Sequence, residues 1–134
     1  MKRISLILFC LISLYCCKQN PHITFVNNSN RVLVYRQEIT LYNDTTISLE
    51  QCDKGSLYDI APHSNYPFIA SGLIWEGFSK SKPKKSVHLY VTYADTLQKY
   101  GKCEVLKKRI FEKTYNITYE DAKRMNWRIV FDGN

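Results

Sequence analysis

At 134 residues and a formal charge of +7, the chain has room for one domain with one modest core. Beyond the first sixteen residues it is rich in Tyr, Val, Ile and Thr and short of Ala and Leu, which argues against a helical bundle and for pleated, half-buried surfaces. Five glycines leave nothing to build a glycine-rich phosphate loop, and setting aside Lys2 and Arg3 as part of a leader leaves 17 basic against 12 acidic side chains. That moderate surplus keeps a protein soluble and can attract anionic partners.

Met1, Lys2 and Arg3 form a short positive segment, and Ile4 to Tyr15 is a nearly unbroken apolar run, the pattern of an export signal. A membrane-spanning helix needs about 20 apolar residues. This run ends sooner, at Cys16-Cys17-Lys18-Gln19-Asn20, and no later segment approaches that length. Leu14-Tyr15-Cys16-Cys17 resembles a bacterial lipobox, with an apolar residue three positions before the modified cysteine and a small one just before it. Residues 1–16 are then a lipoprotein-type signal peptide, 17–21 the lipidated Cys17 with a short tether, and 22–134 a single β-rich domain. Cys16 is the alternative lipidation site, although it would set bulky Tyr15 beside the cut. An ordinary secretory signal with two incidental cysteines is the competing interpretation. A diacylated Cys17 would hold the protein at a membrane far better than one acyl chain, which gives the expected location: the bacterial cell envelope, lipid-anchored at the outer membrane, on its periplasmic or surface side.

In the domain, Ile23-Thr24-Phe25-Val26, Asn27-Asn28-Ser29-Asn30 and Arg31 to Arg36 read as strand, turn and strand, a predicted hairpin, because Asn and Ser tolerate the backbone angles of a tight reversal. Ile39 to Tyr42 continues as strand until Asn43-Asp44, and Gln51 to Ser56 is a loop. Leu57 to Ala61 and Phe68 to Ala70 are short extended pieces separated by Pro62-His63-Ser64-Asn65, and Pro62 and Pro67 mark them as edge or end strands. Ser79 to Lys85 is charged and interrupted by Pro83, an expected exposed loop.

From Val87 to Tyr93 the alternation is clear, with Val87, Leu89, Val91 and Tyr93 on the predicted core face and His88, Tyr90 and Thr92 opposite. Two helices are predicted next. The first places Cys103, Leu106 and Ile110 on one stripe, away from Glu104, Lys107, Lys108 and Glu112. In the second, Thr118 is an N-cap with Asp121 three residues on, and Tyr119, Ala122 and Met125 form the apolar side. Trp127 to Phe131 alternates as a closing strand. The expected fold class is mainly β (α+β): an antiparallel β-sandwich with a short helical pair inserted before the last strand.

Chemistry is sparse. His22, His63 and His88 lie far apart in the sequence, none beside a Cys, His or carboxylate at metal-site spacing, so no metal and no cofactor are expected. There is no Gly-x-Ser-x-Gly and no evident pair of acids for glycoside hydrolysis. Once the leader is gone, Cys52 and Cys103 are the only thiols besides the lipidation candidates. An oxidising compartment would permit a disulfide between them; two separate buried thiols are the alternative. Lys80, Lys82, Lys84 and Lys85, with Lys107, Lys108 and Arg109, make a possible basic contact patch, but without interleaved aromatics they do not form a nucleic-acid module. Trp75, Phe78 and the tyrosines read either as core or as a platform for sugars, and Trp127 as structural.

Ile60-Ala61-Pro62, Trp75-Glu76-Gly77-Phe78, Ala94 to Tyr100, Tyr115 to Asp121 and Arg124 to Ile129 resemble a family of small uncharacterised lipoproteins from gut Bacteroides and relatives, over roughly 58 to 131. The chain departs from the family pattern where Lys102-Cys103 follows Tyr100-Gly101, so the resemblance does not support a Cys103 disulfide. It implies a diderm source and lipidation, and carries no activity. It also makes Asp44-Thr45-Thr46 and Asp95-Thr96-Leu97 candidate O-glycosylation motifs, although Asp95 is equally a candidate helix cap. The expected function is an envelope lipoprotein serving as a non-enzymatic binding or structural module, with a membrane as one partner through the lipid and an unknown protein or glycan as another. The alternatives are a hydrolase acting on envelope or dietary glycans, with paired acids such as Glu76 and Asp95, and a secreted inhibitor or immunity-type protein.

Overall fold

The computed structural model describes residues 22–39, 52, 56–67, 72–80 and 85–133. Residues 1–21, with the expected signal, Cys16, Cys17 and the expected tether, lie outside them, as do Lys82, Lys84, Thr40 to Tyr42 and Phe68 to Ala70. Among the described residues the elements are β1 (Thr24–Asn27), β2 (Leu33–Ile39), β3 (Leu57–Ile60), β4 (Ser64–Pro67), α1 (Gly72–Lys80), β5 (Ser86–Tyr93), α2 (Ala94–Tyr100), α3 (Lys102–Lys107), β6 (Lys113–Thr118), α4 (Tyr119–Arg124) and β7 (Arg128–Phe131). The protein is mainly β, an α+β sandwich of two sheets. One sheet has the order β4-β1-β7 and the other β3-β2-β5-β6. All pairings are antiparallel except β1 with β7, which is parallel because the chain reaches β7 by crossing over from the other sheet through α4.

Both sheets turn their apolar residues inward. Phe25 of β1, Leu33 and Tyr35 of β2, Val87, Leu89, Val91 and Tyr93 of β5, and Ile129 and Phe131 of β7 form one buried cluster, which Trp75 and Phe78 of α1 and Ala122 of α4 join. Phe25 stacks on Tyr35 with ring centroids 6.1 Å apart, and Tyr35 on Tyr58 at 5.1 Å. Tyr35 is deep enough that desolvation drives its phenol pKa well above the ordinary value, so it stays neutral. The far face of the four-stranded sheet is sheltered as well. Val34, Arg36 and Thr92 point that way and are buried, with the Arg36 guanidinium 3.1 Å from Glu38.

Several expectations stand as the sequence has them. β5 buries Val87, Leu89, Val91 and Tyr93, β7 buries Ile129 and Phe131, and β3, within the expected 57–61 strand, lies at a sheet edge. α4 begins with a full capping box: the Thr118 hydroxyl accepts from the Asp121 backbone N–H, and the Asp121 carboxylate accepts from the Thr118 N–H at 3.1 Å.

Others need correction. The 23–36 segment is not a hairpin, because β1 pairs with β4 and β7 while β2 pairs with β3 and β5. The Asn-rich turn carries the chain from one sheet to the other. Ser64-Asn65, expected to separate two strands, already belong to β4, and Ser79-Lys80 end a helix instead of opening a loop. The helix expected to carry Cys103, Leu106 and Ile110 on one stripe is only α3, Lys102–Lys107, and a separate helix, α2, precedes it across Gly101, whose φ of 81° suits a residue without a Cβ. Helix α3 stops before Ile110, since Arg109 turns left-handed at φ 53° and Glu112 is already bonded to Val91 at 2.9 Å, on the way into β6. The helices before the last strand are therefore separated by β6, and Asp95 lies inside α2, whose cap is Tyr93.

Cys52 and Cys103 are joined by a disulfide with Cα atoms 4.9 Å apart, which ties the chain before β3 to α3. Closing a loop of 51 residues should contribute about 4 kcal/mol on the chain-entropy account. A variant with Cys52→Ser and Cys103→Ser is expected to lose up to that amount in urea unfolding.

The cap gives a second prediction. Asp121 is held below the ordinary carboxylate range chiefly by the Thr118 side chain, then by the Thr118 N–H, with Arg124 assisting. A lowered folded-state pKa contributes stability that is complete above the unfolded value of 3.8 and fades as pH falls through the folded one. Wild type should therefore exceed Asp121→Asn in unfolding free energy at pH 7, with the gap closing in acid, while Thr118→Ala should cost about 1 kcal/mol at neutral pH.

Candidate functional site

At one end of the sandwich four connections converge: 28–32 after β1, 61–63 between β3 and β4, 93–95 where β5 becomes α2, and 132–133 after β7. What holds them is Asn27, the last residue of β1, whose side chain is fully buried. Its Nδ2 donates to the carbonyls of Arg31 at 2.8 Å, Ala61 at 3.0 Å and Ile60 at 3.2 Å. Its Oδ1 accepts from the Ser29 N–H at 3.0 Å and the Ser29 hydroxyl at 2.7 Å. An amide has two donor hydrogens and one two-lone-pair acceptor; with three carbonyls around Nδ2 one hydrogen is shared, and both lone pairs of Oδ1 are used.

Above this buried layer stands an exposed polar one. Arg31 lies flat on the Tyr93 ring, its Cζ 3.4 Å from the centroid, and its Nη2 donates to both Asp95 carboxylate oxygens at 2.5 Å. The Arg31 hydrogen bond holds Asp95 below the ordinary carboxylate range, and Asp95 in return raises the Arg31 pKa, so both are ionised across the working range of pH. Beside them the Asn28 amide donates to Asp132 at 2.8 Å, and His63 Nε2 lies 2.6 Å from Asn30 Oδ1. His63 is itself left-handed at φ 49°, a strain the short β3-to-β4 turn imposes. Tyr93 is braced from below by Phe131, edge to face at 5.9 Å.

Chemically this end can recognise but offers no reacting group poised for transfer. It presents amides, an imidazole, a carboxylate and a guanidinium already matched to one another on a rigid base.

The residues singled out from sequence are spread elsewhere. Cys52 and Cys103 meet in the disulfide. Lys80 is exposed at the end of α1 and Lys85 half-buried before β5. Lys108 is paired with Glu104 one helical turn away at 2.6 Å, so that cation is already matched. Trp75 and Phe78 are buried against the core, which removes them from any sugar platform. The Glu76 side chain lies outside the described residues, and Asp95 is committed to Arg31. Among the described residues no group of three or more His, Cys, Asp or Glu is placed to hold a metal ion, and no helix is long and apolar enough to cross a membrane. Arg31, Tyr93, His63 and Asn27 were not foreseen as a group. The run Asn27 to Asn30 was the one local signal, and it reads as an ordinary turn. No protein-family model, curated protein or solved structure matches the chain.

Removing the buried amide takes one donor from the carbonyls of Arg31, Ile60 and Ala61, of which Arg31 and Ala61 keep the hydroxyls of Ser29 and Ser64. Asn27→Ala is expected to cost about 3 kcal/mol, whereas Asn28→Ala, on the exposed layer, should stay within about 0.5 kcal/mol. Equilibrium urea unfolding of both variants checks the contrast.

Proposed function

We propose that the chain is an envelope lipoprotein, anchored through Cys17, whose sandwich is a non-enzymatic binding or structural module with the Asn28 to Arg31 end as its contact surface. Loops set on a rigid β scaffold are the usual place for recognition. The N-terminal charge, apolar run and Cys17 context support the anchor, and so does the resemblance to small Bacteroides lipoproteins.

The non-enzymatic part is supported by the engagement of Asp95, one of the acids considered for glycoside cleavage, whose two carboxylate oxygens both accept from the Arg31 guanidinium at 2.5 Å. Asp95, Glu104 and Asp121 each have a pKa pushed down by a cation or a cap. A general acid for glycoside cleavage needs the opposite, a carboxyl raised by burial or by a neighbouring negative charge. The protein's partner on this account is a protein or glycan of the envelope, with no cofactor.

Two measurements test it. Expressed as the full chain in a diderm bacterium, the protein should sediment with membranes and carry the mass of two or three acyl chains on a form beginning at Cys17, while Cys17→Ala should be released into the soluble fraction. An unlipidated soluble wild type would overturn the anchor. Purified protein incubated with envelope polysaccharides should release no reducing ends; turnover abolished by substituting one of its acids would overturn the non-enzymatic assignment.

A further inference from the structure

Where the described fold begins decides which way it faces. We infer that the pole of the sandwich around Thr24, with Lys123 and Arg128, rests on the anionic headgroups of the membrane, so that the Asn28 to Arg31 end is presented outward. This rests on the lipid anchor proposed above.

The first observation is the reach of the chain. Only residues 18–21 separate Cys17 from His22, and five residue steps span at most about 18 Å when fully extended. A domain of this size has a radius of gyration of roughly 13 Å, so the tether is shorter than the body it holds. His22 is exposed, Ile23 is fully buried, and the Thr24 N–H is bonded to the Trp127 carbonyl at 2.8 Å. The exit point of the chain is thus fixed beside the turn between α4 and β7.

The second observation is what surrounds that exit. In register with Thr24 stand Arg128 on β7 and Pro67 on β4, both exposed. The last turn of α4 adds Lys123 and Arg124, and the 125–127 turn folds back on it through bonds from Asn126 to Lys123 and from Trp127 to Ala122. Arg124 is paired with Asp121, and among the described residues Lys123 and Arg128 are exposed cations of this pole. Basic side chains next to a lipid-anchored segment are attracted to the negative surface of a leaflet.

The third is the opposite end. β1 runs straight from Thr24 to Asn27, so the Asn28 to Arg31 connection lies more than 10 Å along the strand, at about 3.3 Å per residue. That end carries Asp132, whose partner is the neutral Asn28 amide and whose charge an anionic surface repels, while Asp95 is balanced by Arg31. To lay it on the membrane the tether would have to be taut, at a cost in chain entropy, and the Asp132 charge would oppose the contact.

The test uses the full lipidated chain reconstituted into phosphatidylethanolamine–phosphatidylglycerol vesicles containing a lipid with a spin-labelled headgroup. Single thiols for a fluorescent label are introduced as Asn126→Cys or Pro67→Cys near the exit and as Asn30→Cys at the far end. Two near positions guard against one variant failing to fold. Fluorescence at both near positions should be quenched several-fold more than at 30, and adding Lys123→Glu with Arg128→Glu should weaken that contrast. Equal quenching at both ends, stronger quenching at 30, or a contrast indifferent to the charge reversals would overturn the inference while the protein still floats with the vesicles. Failure of the wild type to float would overturn the anchor itself, and this orientation with it.

Discussion

Because β1 and β2 lie in different sheets, and β3 and β4 likewise, the chain has to pass between the layers twice at the same end of the molecule. Both passages bring backbone carbonyls into the buried layer around Asn27, where a carbonyl left without a donor is expensive. The Asn27 amide answers both: its bond to Arg31 closes the first passage and its bonds to Ile60 and Ala61 close the second. Everything placed above it, from the Arg31 stack on Tyr93 to the His63 contact with Asn30, sits where it does because that amide fixes the backbone beneath. The surface proposed for recognition is therefore an outgrowth of a folding constraint, and its rigidity comes from the core side.

The aromatic core supplies the complementary restraint. Phe25, on the middle strand of the smaller sheet, meets Tyr35 on a middle strand of the larger one, and Trp75 bridges to Trp127 at 5.9 Å, linking α1 to the start of β7. Aromatic pairs at these spacings bury large areas and prefer defined angles, so they hold the separation and rotation of the two sheets. The disulfide adds a clamp on the opposite flank, where α3 is too short to stand alone: six residues cannot sustain a helix in water without tertiary support.

What could be read from the residues follows from how local the responsible physics is. The alternation of Val87 to Tyr93 and the Thr118–Asp121 pair report on a strand face and a helix start within a few residues, and the structure has both. Strand pairing is not local. Ile23 to Val26 and Arg31 to Arg36 look like the two arms of a hairpin because each arm is a good strand and the turn residues fit, yet which sheet each arm joins is decided by β4, β5 and β7 far along the chain. Helix α1 was invisible for a different reason: Gly72, Ile74, Trp75, Gly77 and Phe78 are indifferent helix formers, and only the i, i+3 spacing of Trp75 and Phe78 hinted at a buried stripe. β6 escaped notice because it is an edge strand with one well-buried residue, Ile117, among polar neighbours. The candidate site was legible only as a turn, since its meaning arises from Tyr93, Asp95 and His63 arriving from elsewhere.

Native-state hydrogen exchange at the Ser29 amide tests the role of Asn27 most directly. That N–H lies in a connection, outside any sheet ladder, and is bonded only to the Asn27 side chain among the contacts described. If the amide pins both passages, Ser29 should exchange nearly as slowly as the central residues of β5, through global unfolding. Exchange at the rate of an open loop would contradict it, and with it the view that the outward-facing surface is built on a rigid base.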